Sequence, residues 1–243
     1  MQAWRSSLPQ GLRVGFAPTM GNLHAGHLSL VERAKSLSDV TVASIFVNPM
    51  QFGESEDLDA YPRTLARDLE SLKEAGTAAV FTPSVVDIYP EGVEYHTAVE
   101  VPGLTDVLCG ASRAGHFKGV TTVVSKLFGV VRPDVAAFGA KDLQQVLVIK
   151  KMVRDLLMNT EVITVPTTRE ADGLAMSSRN GYLTEAERQL APRFPSVLTD
   201  CVIAVKSGSS TIEDALETAR KALIKQGFHI DYLEARKTFD LTP

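Results

Sequence analysis

Cysteines, long apolar runs and an excess of basic residues are all scarce or missing in this sequence of 243 residues. Cys109 and Cys201 are the only cysteines, too few for a disulfide framework or a four-thiolate zinc site, and they favour a reduced, cytoplasmic protein. The apolar stretch 120–131 is far shorter than the ~20 residues that span a bilayer, and residues 1–10 carry no secretory signal. The net charge of −4 excludes the basic balance of a nucleic-acid binder. We therefore expect neither nucleic acid nor a membrane as a partner.

Short apolar runs alternate with helical patterns over the first two-thirds of the chain. Apolar runs, rich in Val, Ile, Phe and Ala, lie at 14–18, 40–48, 78–83, 135–139 and 161–166. They are apolar on both faces, which is typical of a parallel sheet covered on both sides. Helical patterns begin near Gly26 and cover 62–75, 119–131 and 143–157, with Pro62 suited to a first turn. The alternation predicts a Rossmann-like, doubly wound α/β fold with its ligand beyond the carboxyl ends of the strands.

The last third of the chain has a different pattern, which predicts a separate small domain. Residues 184–187 and 210–213 each fit a capping box that starts a helix. Apolar residues at helical spacing follow the second box as far as Gly227. We therefore expect one domain over residues 1–175 and a second over 176–243.

A glycine turn that carries two histidines joins the first predicted strand to the first helix. The segment is Pro18-Thr19-Met20-Gly21-Asn22-Leu23-His24-Ala25-Gly26-His27. Backbone N–H groups and the helix dipole converge at such a turn, which suits phosphate, and histidines three apart face the same side. Two alternatives stay open at this point: a pair of structural histidines, or a metal-binding pair with no third ligand evident nearby.

Polar amides follow the second predicted strand. Asn48 and Gln51 stand just past its carboxyl end, where they are well placed to hold a small polar substrate. A polar turn with an Asn-Pro break is the alternative interpretation.

A lysine follows the fourth predicted strand in a glycine-containing turn. The segment is Gly139-Ala140-Lys141-Asp142, and Gln144 and Gln145 come soon after it. Lys141 would point into the cleft and stabilise negative charge on a transferring phosphoryl group. Asp142 is able to accept a hydrogen bond from a ribose hydroxyl. A solvated turn residue is the alternative for Lys141.

A polar stretch with two adjacent hydroxyls lies between the two predicted domains. Ser177, Ser178 and Arg179 form a run that can bind phosphate oxygens. Its position would also allow it to close over a nucleotide. A plain flexible linker is the alternative, although a linker rarely carries such a run.

Together these four segments resemble the pantothenate synthetase family. The turn that ends at His27 looks like the HIGH motif of nucleotidyltransferases and class I aminoacyl-tRNA synthetases, and 176–179 looks like the KMSKS loop. Further matches lie at 44–53, 61–64, 115–120 and 138–145, so the likeness covers roughly residues 12–183. The resemblance implies a small α+β lid domain at the carboxyl end, shortened here relative to the family.

The resemblance implies an ATP-dependent ligase that condenses pantoate with β-alanine through a pantoyl adenylate and releases AMP and pyrophosphate. It further implies Mg²⁺ as a cofactor and a homodimer built through the larger domain. We assign no protein ligand to Mg²⁺, because Asp68 and Glu70 are not clearly placed by the sequence. Two alternative functions stay open: a nucleotidyltransferase that keeps AMP on its product, and a nucleotide-binding module without turnover.

The resemblance also implies roles for individual residues. His24, His27 and Lys141 would act on the phosphates, with His27 as the candidate proton donor. Gln51 and Gln145 would hold pantoate, and Tyr61 and Arg113 would line the inner cavity. The residues implied to bind ATP are Met20, Gly21, Asn22, Leu23, His24, Ala25, Gly26, His27, Gly139, Ala140, Lys141, Asp142, Thr168, Met176, Ser177, Ser178 and Arg179.

Overall fold

A computed structural model describes residues 1–53 and 56–243 of the chain. It divides into two compact units, Met1–Thr167 and Thr168–Pro243. The assignment of a catalytic role to residues 1–175 and a lid role to 176–243 stays a prediction. Within the described residues, no helix combines the length and apolarity that a membrane crossing requires.

The first unit is built on a parallel sheet of five strands, in the order β3-β2-β1-β4-β5. The strands are β1 (Val14–Thr19), β2 (Val40–Ile45), β3 (Ala79–Phe81), β4 (Val135–Gly139) and β5 (Glu161–Val165). Helices of this unit are α1 (Gln2–Ser7), α2 (Ala25–Lys35), α3 (Leu65–Glu74), α4 (Val85–Ile88), α5 (Cys109–Ser112), α6 (His116–Val131) and α7 (Leu143–Asp155). The predicted Rossmann-like α/β fold is confirmed.

The strand order changes direction between β1 and β4. Gly15 of β1 pairs with Thr41 of β2 on one side and with Val135 of β4 on the other. Phe16 and Val135 are fully buried, as expected for the centre of a sheet covered on both faces. The crevice at such a switch point, beyond the carboxyl ends of the strands, is where open α/β sheets bind ligands.

Three predicted boundaries in the first unit are wrong by three residues, each for a local reason, and β3 and α7 each end two residues earlier than predicted. β2 ends at Ile45 because Asn48 caps a 3₁₀ turn, Pro49–Gln51, instead of extending the strand. α3 begins at Leu65 with Thr64 as its N-cap, so Pro62 lies outside the helix. α6 begins at His116, three residues before its predicted start, directly after the left-handed Gly115.

The second unit contains three α-helices: α8 (Glu185–Leu190), α9 (Arg193–Lys206) and α10 (Ile212–Lys225). The predicted capping box at α8 is confirmed, with reciprocal bonds between Thr184 and Glu187. The second predicted box is wrong by one residue, because Thr211 rather than Ser210 caps α10. An α+β unit is expected here. The observed strand pairing within residues 168–243 is limited to one isolated antiparallel bridge between Arg169 and Ala175.

Candidate active site

The turn after β1 is held by a buried carboxylate from α3. Asp68 is 1% exposed and accepts hydrogen bonds from the N–H groups of Asn22 at 2.8 Å and Leu23 at 2.9 Å. The hydroxyl of Thr64 donates to the same carboxylate at 3.0 Å. Gly21 has a φ of +86°, and a Cβ there would lie 3.2 Å from Asp68, so glycine suits both the backbone conformation and the close approach. Asp68 therefore fixes the backbone of the turn that the sequence predicts to bind phosphate.

The two histidines cap the start of α2 as a reciprocal pair. Nδ1 of His24 accepts from the N–H of Gly26 at 3.1 Å, and Nδ1 of His27 accepts from the N–H of His24 at 3.3 Å. Because an accepting Nδ1 carries no proton, each ring directs an N–H from Nε2. The ring centroids lie 4.0 Å apart. The pair thus offers two adjacent Nε2–H donors at the switch point.

The neutral state of His27 is fixed by its surroundings. Burial, followed by the nearby His24 and the charge of Lys141, lowers the pKa of His27 from 6.5 to about 3. A group with this pKa donates a hydrogen bond at neutral pH but does not carry a positive charge. Its role as an acid would therefore require a ligand that raises its pKa.

The depressed pKa of His27 predicts how stability depends on pH. Between pH 3 and 6.5 the unfolded chain binds more protons than the folded chain, so this contribution is present above pH 6.5 and is lost as pH falls towards 3. We expect the free energy of unfolding, measured with denaturant, to fall by about 2 kcal/mol from pH 7 to pH 5 on account of His27. His27→Gln should remove this part of the pH dependence, whereas His229→Gln, at an exposed position, should keep it. An unchanged pH dependence in His27→Gln would contradict the prediction.

Lys141 lies in a 3₁₀ turn, Ala140–Asp142, between the end of β4 and the start of α7. Its Nζ is 3.4 Å from Oδ1 of Asp142, and its side chain is 39% exposed. Its charge acts on His27, so the lysine and the histidines belong to one site although they follow different strands.

The adjacent glutamines at the start of α7 have different roles. Gln144 is buried; its Oε1 accepts from the N–H of Cys109 at 3.1 Å, and its Nε2 donates to the carbonyl of Val107 at 2.7 Å. Gln145 is half-buried, and its side chain makes no hydrogen bond within residues 1–53 and 56–243. Gln144 therefore braces the loop before α5, and Gln145 keeps its amide available.

Gln51 ends the 3₁₀ turn that packs against α6. Its Oε1 accepts from Nδ2 of Asn48 at 3.1 Å. A Cβ on Gly119 of α6 would lie 2.2 Å from the carbonyl oxygen of Met50, a distance that only glycine avoids. The approach of the α6 backbone thus sets the position of Gln51.

Arg113 and Tyr61 both lie beside this turn, and each contacts other side chains. Arg113 forms a two-bond ion pair with Glu56, at 2.7 and 2.5 Å, and donates to the carbonyl of Gln51 at 3.2 Å. His116 also bonds to that carbonyl through Nδ1 at 2.9 Å. Tyr61 is buried, with its ring 5.8 Å from that of Phe52. Arg113 therefore braces the Gln51 backbone, and its predicted contact with the cavity stays a prediction.

The residues of the fourth predicted segment lie in the second unit. The N–H of Met176 donates to the carbonyl of Thr168 at 3.0 Å. Ser177 caps a 3₁₀ turn, Ser178–Tyr182, by accepting from the N–H of Arg179 at 3.3 Å. This hydroxyl-rich run therefore has an ordered local structure, unlike a plain linker.

Sequence reasoning considered Asp68 only as a metal ligand and missed its role in the turn, and it missed Tyr89 altogether. Thr64 is of a residue type that favours a helix N-cap, but no sequence pattern linked Asp68 to the turn after β1. No sequence signal linked Tyr89 to Asn48, because their 2.8 Å bond joins distant segments. No group of three or more His, Cys, Asp or Glu that would suit a metal ion occurs in the described part of the chain.

Comparison with known proteins identifies the family of this chain. The profile of the family described as pantoate-beta-alanine ligase matches residues 1–243. A pantothenate synthetase of Shewanella baltica (strain OS223) is 56% identical over 241 residues, 99% of this chain and 84% of the relative. The structure of pantothenate synthetase from Thermus thermophilus matches with a TM-score of 0.93 and 48% identity over 99% of this chain and 87% of that one. A pantoate-beta-alanine ligase from Francisella tularensis, complexed with beta-gamma ATP and β-alanine, matches with a TM-score of 0.82 and 37% identity over 96% and 86%. The chain belongs to the pantoate-beta-alanine ligase family.

Proposed function

We propose that this ligase adenylates pantoate with ATP at the switch point and then transfers the pantoyl group to β-alanine. In the first step the carboxylate of pantoate attacks the α-phosphorus of ATP and pyrophosphate leaves. In the second, the amine of β-alanine attacks the acyl carbon of the adenylate and AMP leaves. The observation that carries the proposal is the pair of Nε2–H donors on His24 and His27 beside the charge of Lys141.

The chain's own groups would stabilise the negative charge of the first step. The Nε2–H groups of His24 and His27 donate to phosphate oxygens, and anionic phosphates beside His27 raise its pKa, so that it can pass a proton to the leaving group. Lys141 supplies a full positive charge to the oxygens of the transferring phosphoryl group. The run Ser177-Ser178-Arg179 is proposed to close over the same phosphates, and Thr168 to bind adenine through its backbone.

Mg²⁺, when bound, would neutralise part of the phosphate charge. The described side chains fit a cation held chiefly by the nucleotide, with at most one or two carboxylates. Asp68 is not available for this purpose, because backbone N–H groups and Thr64 already occupy both its oxygens. Asp142, exposed beside Lys141, is left for the ribose or the cation.

Neutral amides would hold pantoate. Gln51 and Gln145 orient the substrate without an ion pair, which would weaken its carboxylate as a nucleophile. The F. tularensis relative complexed with beta-gamma ATP and β-alanine supports these two compounds as substrates here. We further propose a homodimer through the larger unit, as the family resemblance implies, and a cytoplasmic location, which the free thiols of Cys109 and Cys201 fit.

The test is AMP release from Mg-ATP by the purified chain, with pantoate and β-alanine together and with each omitted. We expect release only when both are present. AMP that stays attached to the product would indicate a nucleotidyltransferase instead. If no AMP appears, exchange of pyrophosphate into ATP driven by pantoate alone would keep the adenylation step, and its absence together with ATP binding would favour a binding module.

A further inference from the structure

A buried polar network lies behind the side chain of Gln51. Its centre is Asn48, which is 0% exposed. Oδ1 of Asn48 accepts from the hydroxyl of Tyr89 at 2.8 Å and from the N–H of Met50 at 3.4 Å. Nδ2 donates to the carbonyl of Gly119 at 3.0 Å and to Oε1 of Gln51 at 3.1 Å. All four hydrogen-bonding positions of the Asn48 amide are thus occupied.

This network fixes the orientation of the Gln51 amide. Because Nδ2 of Asn48 is a donor, it bonds only to an acceptor, so Gln51 must direct its oxygen towards Asn48. Its Nε2 group is then left with two donors for another partner. The reverse orientation would place two NH₂ groups against each other and lose the bond, so Asn48 determines that Gln51 acts as a donor.

Tyr89 is the stronger of the two donors that hold Oδ1 of Asn48. Its bond is 2.8 Å, whereas the N–H of Met50 lies at 3.4 Å, near the limit of a hydrogen bond. Tyr89 is 1% exposed, and burial raises the pKa of its hydroxyl to about 12, so it stays a donor at neutral pH. Lys126 lies over its ring, with Nζ 4.3 Å from the centroid, and the ring of His96 meets it edge-on at 5.2 Å. The ring is therefore held from several sides.

We propose that Tyr89 is a positioning residue for pantoate, acting through Asn48 on the amide of Gln51. The inference rests on the proposed function, in which Gln51 binds pantoate. Without the hydroxyl, Oδ1 of Asn48 keeps only its long bond to Met50, so the amide is held less firmly, although the carbonyl of Gly119 still binds its Nδ2. The bond from Asn48 to Oε1 of Gln51 would weaken in turn, so Gln51 would no longer present its Nε2 group to pantoate in one fixed orientation.

Tyr89→Phe tests the proposal because it removes the hydroxyl and keeps the buried ring. We expect the Kd of pantoate, measured by titration calorimetry with α,β-methylene ATP present, to rise about three- to tenfold, the scale of one net hydrogen bond. The Kd of α,β-methylene ATP should stay unchanged, because the turn that would bind it does not contact this network. Tyr95→Phe is the matched control, since Tyr95 is 74% exposed and its loss should change neither Kd.

A second background separates this proposal from the assignment of Gln51. In Gln51→Ala the effect of Tyr89→Phe on pantoate binding should disappear, because the residue through which it acts is gone. A full effect in that background, an unchanged Kd in Tyr89→Phe, or an equal weakening of nucleotide binding would each overturn the positioning role. If Gln51→Ala itself leaves the Kd of pantoate unchanged, the assignment of Gln51 has failed, and the positioning role with it.

A direct readout without pantoate completes the test. The side-chain amide resonances of Gln51 should shift in Tyr89→Phe, because the bond from Asn48 is weakened, and should not shift in Tyr95→Phe. Resonances that stay in place in both variants would overturn the proposal.

Discussion

Lys141→Ala is expected to lower kcat for adenylation by at least about 100-fold, the scale of one preorganised electrostatic group. After burial and His24, the charge of Lys141 lowers the pKa of His27, so this lysine acts on the same site as the histidine pair. The measurement is pantoate-driven exchange of pyrophosphate into ATP, which reports the first step alone. The substitution also removes one cause of the low pKa of His27, which should therefore rise.

The matched control for this variant is Lys150→Ala. Lys150 lies on α7, the helix that follows the turn of Lys141, but bonds to Thr164 of β5, away from the histidine pair. Its removal should leave the exchange rate nearly normal. Near-normal exchange in Lys141→Ala would contradict the role given to its charge, and an equal loss in both variants would point to damage to α7.

Asp68→Ala is expected to cost both stability and nucleotide binding. The change leaves the N–H groups of Asn22 and Leu23 without their buried acceptor. Each such group costs about 1–3 kcal/mol, so the free energy of unfolding should fall by roughly 3 kcal/mol. Because the turn is no longer fixed, kcat/KM for ATP should fall about 100-fold, the cost of misplacing a site by about 1 Å.

Glu70→Ala provides the comparison for Asp68→Ala. Glu70 lies on the same helix, α3, with its side chain 63% exposed and a 3.7 Å ion pair to Lys73. Its loss should change the free energy of unfolding by no more than about 0.5 kcal/mol, as is usual for surface positions. If Asp68→Ala retains normal kcat/KM for ATP, the turn does not depend on the carboxylate.

The parts of the site that the sequence predicted are those formed within one short segment. The turn at His27 and the turn at Lys141 each follow a strand directly, so strand pattern and glycine placement were enough to locate them. Tyr89 and Gly119 act on Gln51 only through contacts between segments far apart in the chain. A pattern within one segment does not predict such contacts, because they depend on burial and packing in the folded chain.

Element boundaries were harder to predict for a related reason. Asn48 ends β2 early through a side-chain cap, and Thr64 starts α3 after Pro62. In both places the local backbone around one residue overrode the apolar pattern and the usual preference of proline for a first turn. The pattern found these elements, and individual residues set their ends.

The central position of β1 in the sheet affects how the sheet assembles while the chain is being synthesised. Gly15 can pair with Thr41 soon after both have been synthesised, but its other neighbour, Val135, emerges much later. During that interval the nascent sheet exposes an apolar strand edge, which is the kind of surface that invites aggregation and chaperone binding. The late pairing also closes a long loop, a slow step in folding. A chain released from the ribosome before β4 would therefore carry the histidine pair without the lysine that completes the site.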